Sequence, residues 1–281
     1  MCRLYGFVAN EPTKVDCSLV FAQNALMQQS RVDLVGEDHA DGWGIAIYHN
    51  GPAVIEKQAT AAYEDQLFSL TAEKSYGKTV VAHVRHATVG QISIENTHPF
   101  VHQQWTFAHN GTVTGFDELK AALERETDSQ LQQLRLGTTD SEQYFYWLLT
   151  RIEQAGLADS LHLRDRVERT TQFLSDTVAE LDRRCREVAP TRTPRLNFVL
   201  TSGSTLLACR WNRPLYMIER NGIYDCEICG IPHIHHHETT EHHAVAIASE
   251  PVTQEAWQEI PNHSVAAAFR EGQPHVLTCQ P

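Results

Sequence analysis

Three kinds of local pattern succeed one another along this chain, and their order limits the folds open to it. The first 115 residues alternate short β-like runs with Gly-rich turns. Residues 80–84 and 105–109 read as strands, and Asp41-Gly42-Trp43-Gly44 leads into a further strand over residues 45–48. Two helical stretches follow. Thr139-Asp140-Ser141-Glu142 has the form of a capping box, and the helix it opens runs through Tyr144, Trp147 and Leu148 toward a stop at Gly156. A longer helix is expected over about residues 163–188, where Val167, Leu174, Val178, Leu181, Cys185 and Val188 recur at helical spacing and form one stripe. Strand-like runs return at residues 195–200, 205–211, 215–219 and 244–249, after a Pro-rich loop at 190–194. Thr201-Ser202-Gly203-Ser204-Thr205, which could pass for a phosphate loop, is too short for one and reads as a hairpin turn. Strands, then helices, then strands predict an α+β fold in which two β-sheets close between helical layers. A chain of 281 residues can bury a core of that kind without covalent staples.

The formal net charge of −12 argues against nucleic acid or an anionic membrane surface as the main partner, because both require basic surface. No apolar run approaches the roughly 20 residues of a membrane span. The N-terminus lacks a basic region followed by an apolar stretch, so no secretory signal is expected and the protein reads as cytoplasmic. Its seven cysteines are then expected to be reduced, and the odd number leaves room for a reactive thiol.

One of those cysteines stands at residue 2, in Met1-Cys2-Arg3-Leu4-Tyr5-Gly6. An initiator Met is normally trimmed before a residue as small as Cys, which would put a thiol and a free α-amine on one residue. Ordinary pKa values of about 8.5 for the thiol and about 7.7–8.0 for the amine make proton transfer between them cost only about 1 kcal/mol. Such a residue supplies nucleophile and base together. By position alone, Cys2 could equally be a small hydrophobe near a chain end.

Four further motifs accompany it: His39-Ala40-Asp41-Gly42-Trp43-Gly44, Ala82-His83-Val84-Arg85-His86-Ala87-Thr88, Asn96-Thr97-His98-Pro99-Phe100 with His109-Asn110-Gly111, and Gly137-Thr138-Thr139-Asp140-Ser141-Glu142. Each has an ordinary reading. Asp-Gly-Trp-Gly can be a turn with an aromatic plug, Arg85 a surface arginine, Asn110-Gly111 a hairpin turn, and Asp140 a first-turn acid favoured by the helix dipole. Together they supply one reaction. The Asn110 amide and the Gly111 N–H can hold a tetrahedral oxyanion. Arg85 can grip an α-carboxylate through paired hydrogen bonds. Asp140 can accept from an α-ammonium group. A molecule with all three features is glutamine or a γ-glutamyl compound.

The five motifs and their order resemble the class II glutamine amidotransferases, a branch of the N-terminal-nucleophile hydrolases, from Cys2 to about Ala248-Ser249-Glu250-Pro251. The resemblance implies a four-layer α-β-β-α sandwich over residues 2–281 as one domain, with Met1 removed. It implies Cys2 as nucleophile, Asn110 and Gly111 as oxyanion hole, and Arg85 and Asp140 as substrate clamps. Thr88 and His98 fall on positions flanking the glutamine pocket, while Trp43 and Gly44 are expected to form the wall behind the nucleophile. The residue after the clamp arginine, often aromatic in the sugar-phosphate synthases of the class, is His86 here, and no acceptor domain is apparent. The chain therefore looks like the stand-alone members. It is expected to act on glutamine, passing ammonia to a partner synthase, or on a γ-glutamyl thiol compound directly, with no cofactor required. A catalytically silent binding or regulatory protein that senses glutamine with the same pocket, with the Cys/His loop of residues 226–243 as a metal-dependent contact, is the alternative.

Residues 226–243 hold Cys226, Cys229 and six histidines, His233, His235, His236, His237, His242 and His243. Cys226 and Cys229 have zinc-ligand spacing, and with His233 and His235 a tetrahedral site is chemically feasible. The usual second pair at fixed helical spacing is absent, so the segment also reads as an ordinary strand-connecting loop with incidental metal affinity. A zinc ion bound here would be structural, since the expected chemistry needs no metal.

Overall fold

β1 (Arg3–Lys14) frames the fold. Its side chains alternate as a strand requires: Tyr5 and Phe7 point to one face, Leu4 and Val8 to the other, and both faces are buried. The computed structural model describes residues 2–49, 51–158, 166–222, 225–234, 242–270 and 277–279. After β1 come a wide helical turn at Cys17–Phe21, α1 (Leu26–Arg31), β2 (Trp43–Tyr48), β3 (Val54–Gln58), α2 (Gln66–Glu73), β4 (Tyr76–Val84), β5 (Phe100–His102) and β6 (Trp105–Thr112). The helical middle holds α3 (Phe116–Glu126), α4 (Ser129–Gln133), α5 (Asp140–Gln154) and α6 (Val167–Val188). The last third is β7 (Arg195–Thr201), β8 (Thr205–Arg210), β9 (Tyr216–Asn221), β10 (His243–Ala248), β11 (Gln258–Glu259), β12 (Ser264–Phe269) and β13 (Leu277–Cys279).

These strands form two antiparallel sheets, ordered β11-β9-β10-β1-β4-β2-β3 and β13-β12-β8-β7-β6-β5. Leu4, Val8, Val81, Val199, Leu206 and Ile247 fill the space between them. Gly6 lies in that layer, where an added Cβ would stand 3.1 Å from Val199 and 3.3 Å from Leu206. Outside the first sheet, Tyr5, Phe7, Trp43 and Ile45 pack with Leu26 of α1 and Phe68 of α2. Outside the second, Phe107, Phe198 and Leu200 pack with Tyr144 and Trp147 of α5 and with Leu174, Val178 and Leu181 of α6. The result is the expected α-β-β-α sandwich.

The expected helix at about residues 163–188 is α6; residues 159–165 lie outside the described residues, and Val188 at its end is exposed rather than part of the stripe. Half of the capping box forms: Thr139 Oγ1 accepts from the Glu142 N–H at 3.2 Å, while the Glu142 carboxylate turns to the N–H groups of Leu136 and Gly137, at 3.1 and 2.7 Å. Residues 201–205 are the β7–β8 hairpin, with Gly203 in the left-handed region at φ +94°. Among the described residues no helix is long and apolar enough to cross a membrane.

Candidate functional site

The site lies at the end of β1 where the strand begins. Arg3 pairs with Val84 of β4, so Cys2 comes to rest beside the loop that leaves that strand. The Cys2 Sγ accepts from the His86 N–H at 3.5 Å and lies the same distance from the His86 carbonyl. Burial pushes the thiol pKa up; the His86 N–H and the Arg85 charge oppose this, and the Asp140 charge adds to it.

Asn110 and Gly111 are not a hairpin turn. They sit within β6, in unbroken register with Asn197 and Leu196 of β7. Asn110 is buried, and its Nδ2 donates to Ser249 Oγ at 2.9 Å. Ser249 Oγ also accepts from the Leu4 N–H at 3.0 Å, so one hydroxyl ties the asparagine to the strand that carries Cys2. An asparagine amide has two N–H donors, and Ser249 uses one. Gly111 is required on steric grounds as well: a Cβ there would collide with the Arg195 carbonyl of β7.

Arg85 is buried, and it donates to the carbonyls of Gln91 at 3.1 Å and Val89 at 3.0 Å, curling its own loop around itself. A guanidinium has five N–H donors, which leaves capacity for a carboxylate. Asp41 fixes the same loop by accepting from the Ala87 N–H at 2.7 Å. Asp140 opens α5. Its carboxylate accepts from the Ser141 N–H at 2.9 Å and the Val113 N–H at 2.8 Å, which binds the helix start to the turn after β6. Asn96 joins the two loops by accepting from the Thr138 N–H at 2.8 Å. The Arg85 and Asp140 charges both act on the Cys2 thiol, and Ser249 ties Asn110 to its strand, although these residues are scattered over the sequence.

Thr88 and His98 do not join them in the same way. Thr88 is exposed on the loop beyond Arg85. His98 is buried beneath, with its ring 4.1 Å from that of His83 and 4.5 Å from that of Phe100, and neither of its nitrogens has a hydrogen-bond partner among the described residues. Burial, then the neighbouring charges, holds His98 neutral, well below the usual histidine range. Trp43 departs from the expected wall. Its ring packs on Phe68 of α2, on the helical side of the sheet, and its Nε1 donates to Asp65 at 2.9 Å. Gly44 fits close packing: a Cβ would strike the His98 carbonyl.

A buried ionic group behind Cys2 was not anticipated from sequence. Arg3 bonds Asp33 and Glu250 and donates to the Cys2 carbonyl at 3.0 Å. His39 Nε2 lies 2.9 Å from Asp33. Burial opposes the Asp33 charge, but N–H donors of Glu37 and Val35, His39 and the Arg3 cation prevail and hold its pKa at about 2. Burial, then Arg3, pushes His39 down to about 4, so it is neutral at pH 7. The available signal was Arg3 itself, a charge opening an otherwise buried strand.

At the far end of β1, Cys226, Cys229 and His233 come together as their spacing suggested, and Cys17 joins them. His235 lies outside the described residues. The Cys17 contribution was missed because it is more than 200 residues away along the chain.

Two sheets stacked face to face between helical layers are the fold shared with the glutamine phosphoribosylpyrophosphate amidotransferase of B. subtilis, at a TM-score of 0.56 and 18% identity over 99% of this chain and 49% of that one. Within that fold the sequence matches the family "Glutamine amidotransferases class-II" over residues 1–281, and the chain belongs to it. It is thus an enzyme of the class II glutamine amidotransferases. It is 27% identical to "Probable glutamine amidotransferase DUG3" of Saccharomyces cerevisiae, over 94% of this chain and 81% of that one. It is 26% identical to gamma-glutamyl-hercynylcysteine sulfoxide hydrolase of Mycolicibacterium smegmatis, over 93% of each. Other microbial relatives are matched over only 39% to 56% of their own length. Among solved structures, a "predicted glutamine amidotransferase" from Pseudomonas aeruginosa is similar at a TM-score of 0.61 and 26% identity, covering 98% of this chain and 99% of that one.

Proposed function

We propose that residues 2–281, with Met1 removed, act as one cytoplasmic amidotransferase domain whose nucleophile is Cys2. The observation that carries this reading is the bridge Leu4–Ser249–Asn110, which anchors an amide donor to the strand bearing the thiol. The Cys2 sulfur attacks the γ-carbonyl of the substrate, and its proton passes to the α-amine of the same residue. The Asn110 amide and the Gly111 N–H take the oxyanion. As the intermediate collapses, the C–N bond breaks and the α-amine returns its proton to the leaving nitrogen. Water then attacks the γ-glutamyl thioester, releasing glutamate and restoring the thiol. Arg85 holds the α-carboxylate and Asp140 the α-ammonium, while Thr88 and His98 flank the pocket. Arg3 acts on Cys2 through its carbonyl, as a positioning residue. No cofactor takes part.

Two substrates fit this head-group recognition: free glutamine, with ammonia passed to a partner synthase, and a γ-glutamyl amide hydrolysed directly. End-to-end similarity to the sulfoxide hydrolases favours the second. Assaying glutamate release from glutamine and from a panel of γ-glutamyl amides separates them. Faster turnover of a γ-glutamyl amide than of glutamine supports direct hydrolysis. Binding of glutamine without turnover, and without labelling of Cys2 by a glutamine-like electrophile, would establish the silent sensor instead.

A further inference from the structure

At the end of β1 remote from Cys2, four side chains aim their donor atoms at one point. Cys17 begins the helical turn after β1, and Cys226, Cys229 and His233 lie in the segment between β9 and β10. One sulfur or ring nitrogen from each lies within 4.8 Å of all the others, and Cys229 Sγ stands 3.2 Å from His233 Nε2. Around a tetrahedral zinc with Zn–S of about 2.3 Å and Zn–N of about 2.0–2.1 Å, neighbouring ligand atoms are about 3.5–3.8 Å apart. Small side-chain adjustments bring this set to that spacing.

The backbone around the cluster is arranged independently to the same end. Cys226 and Cys229 are separated by two residues, and the Gly230 N–H closes the turn on the Cys226 carbonyl at 2.8 Å, with Gly230 at φ +72°. The Ile228 N–H points at Cys226 Sγ, 3.4 Å away, a donor that stabilises a thiolate. The segment is fastened to β1 beside Cys17 by the Lys14 N–H, which donates to the His233 carbonyl at 2.8 Å, and by the bridge of Thr13 to Ile234. Lys14 and Arg220 line the same cavity, each paired with a carboxylate, Lys14 with Asp16 at 2.6 Å and Arg220 with Glu255 at 2.6 Å.

We propose that Cys17, Cys226, Cys229 and His233 form a closed structural zinc site that pins the β9–β10 connection to the end of β1. Binding releases three thiol protons, and a neutral imidazole completes the shell. Four protein ligands leave no position for water, so the ion does not act on substrate. The site is separate from the Cys2 chemistry and stands or falls without it.

The test is metal analysis of the full chain, made without an affinity tag or nickel column and purified under reducing conditions. Expected are about one zinc per chain and, after exchange, the intense charge-transfer absorption of cobalt bound by thiolates in a tetrahedral site. Cys229→Ser, at an exposed position, is expected to lose the zinc and to lower Tm by about 5 °C or more. Cys17→Ser is expected to behave likewise. A variant with His235, His236 and His237 all changed to Ala is expected to keep the metal. Fewer than about 0.2 zinc per chain after reconstitution, a Cys226–Cys229 disulfide in the reduced preparation, or retention of zinc by Cys229→Ser would each overturn the proposal.

Discussion

The two ends of β1 present cysteines in opposite surroundings. At the Cys2 end a single sulfur faces a peptide N–H, a buried arginine and a network of ionised groups. At the other end three sulfurs and an imidazole face one another. A lone thiol among fixed donors is placed to attack something brought to it. A cluster of thiols already supplies its own ligand shell. Residue type alone does not separate these roles; the number of sulfur neighbours and the charges around them do.

If the ends differ in this way, substitutions at the first should act on turnover and those at the second on stability. Cys2→Ala should cut glutamate release at least about 10⁴-fold with Tm unchanged, since no other group can form the thioester; appreciable residual turnover by the purified variant would break the distinction. Arg3→Met tests whether the ionic group is a support as well as a positioning device. It strands Asp33 and Glu250 without their cation, so unfolding in urea should show a loss of about 3–5 kcal/mol. A variant as stable as the parent would remove the network from the account. Asn110→Ala should lower kcat by about 10²–10³ with a smaller effect on KM, because the lost donor serves the oxyanion and not the bound amide. An equal loss confined to KM would make Asn110 a binding residue only.

Acid sharpens the contrast least but reports on the first end as it stands. His39 and His83 are held at about 4 and about 3, in both cases chiefly by burial, whereas an unfolded histidine titrates near 6.5. Between those values the unfolded chain binds more protons, so stability falls as pH falls from 6.5 toward 3. Asp33, held at about 2, adds a loss of the same sign below its ordinary value near 3.9. The urea midpoint should therefore drop steadily from pH 7 to pH 4; a flat profile would contradict the buried neutral histidines.

Much of this was readable from residues. The strand patterns marked β2, β4 and β6 to β10, and the helix patterns the two long helices, because their apolar periods are strong; β1, β3, β5, β11, β12 and β13 were not singled out. The short helices α1, α2, α3 and α4 did not stand out, since so few turns carry little periodicity. Of the motif residues, Arg85 and Asp140 act on the Cys2 thiol and Asn110 is tied to its strand through Ser249, whereas Thr88, His98 and Trp43 lie elsewhere. Asn110-Gly111 shows the limit of local reading: the same dipeptide serves a hairpin or a strand interior, and only the packing of β7 against Gly111 decides. Trp43 faced the helices because strand alternation fixes its side, and the motif alone does not reveal which side is which. Partners in the Arg3 network and Cys17 in the sulfur cluster are joined by the fold over distances that no spacing rule spans.

Peptide mapping by mass spectrometry, after exposure to a glutamine-like chloroketone, bears most directly on the central claim. The account predicts an N-terminal peptide that begins at Cys2 and carries the single adduct on its sulfur, with labelling suppressed by substrate. Retention of Met1, or an adduct on another cysteine with Cys2 unmodified, would contradict it.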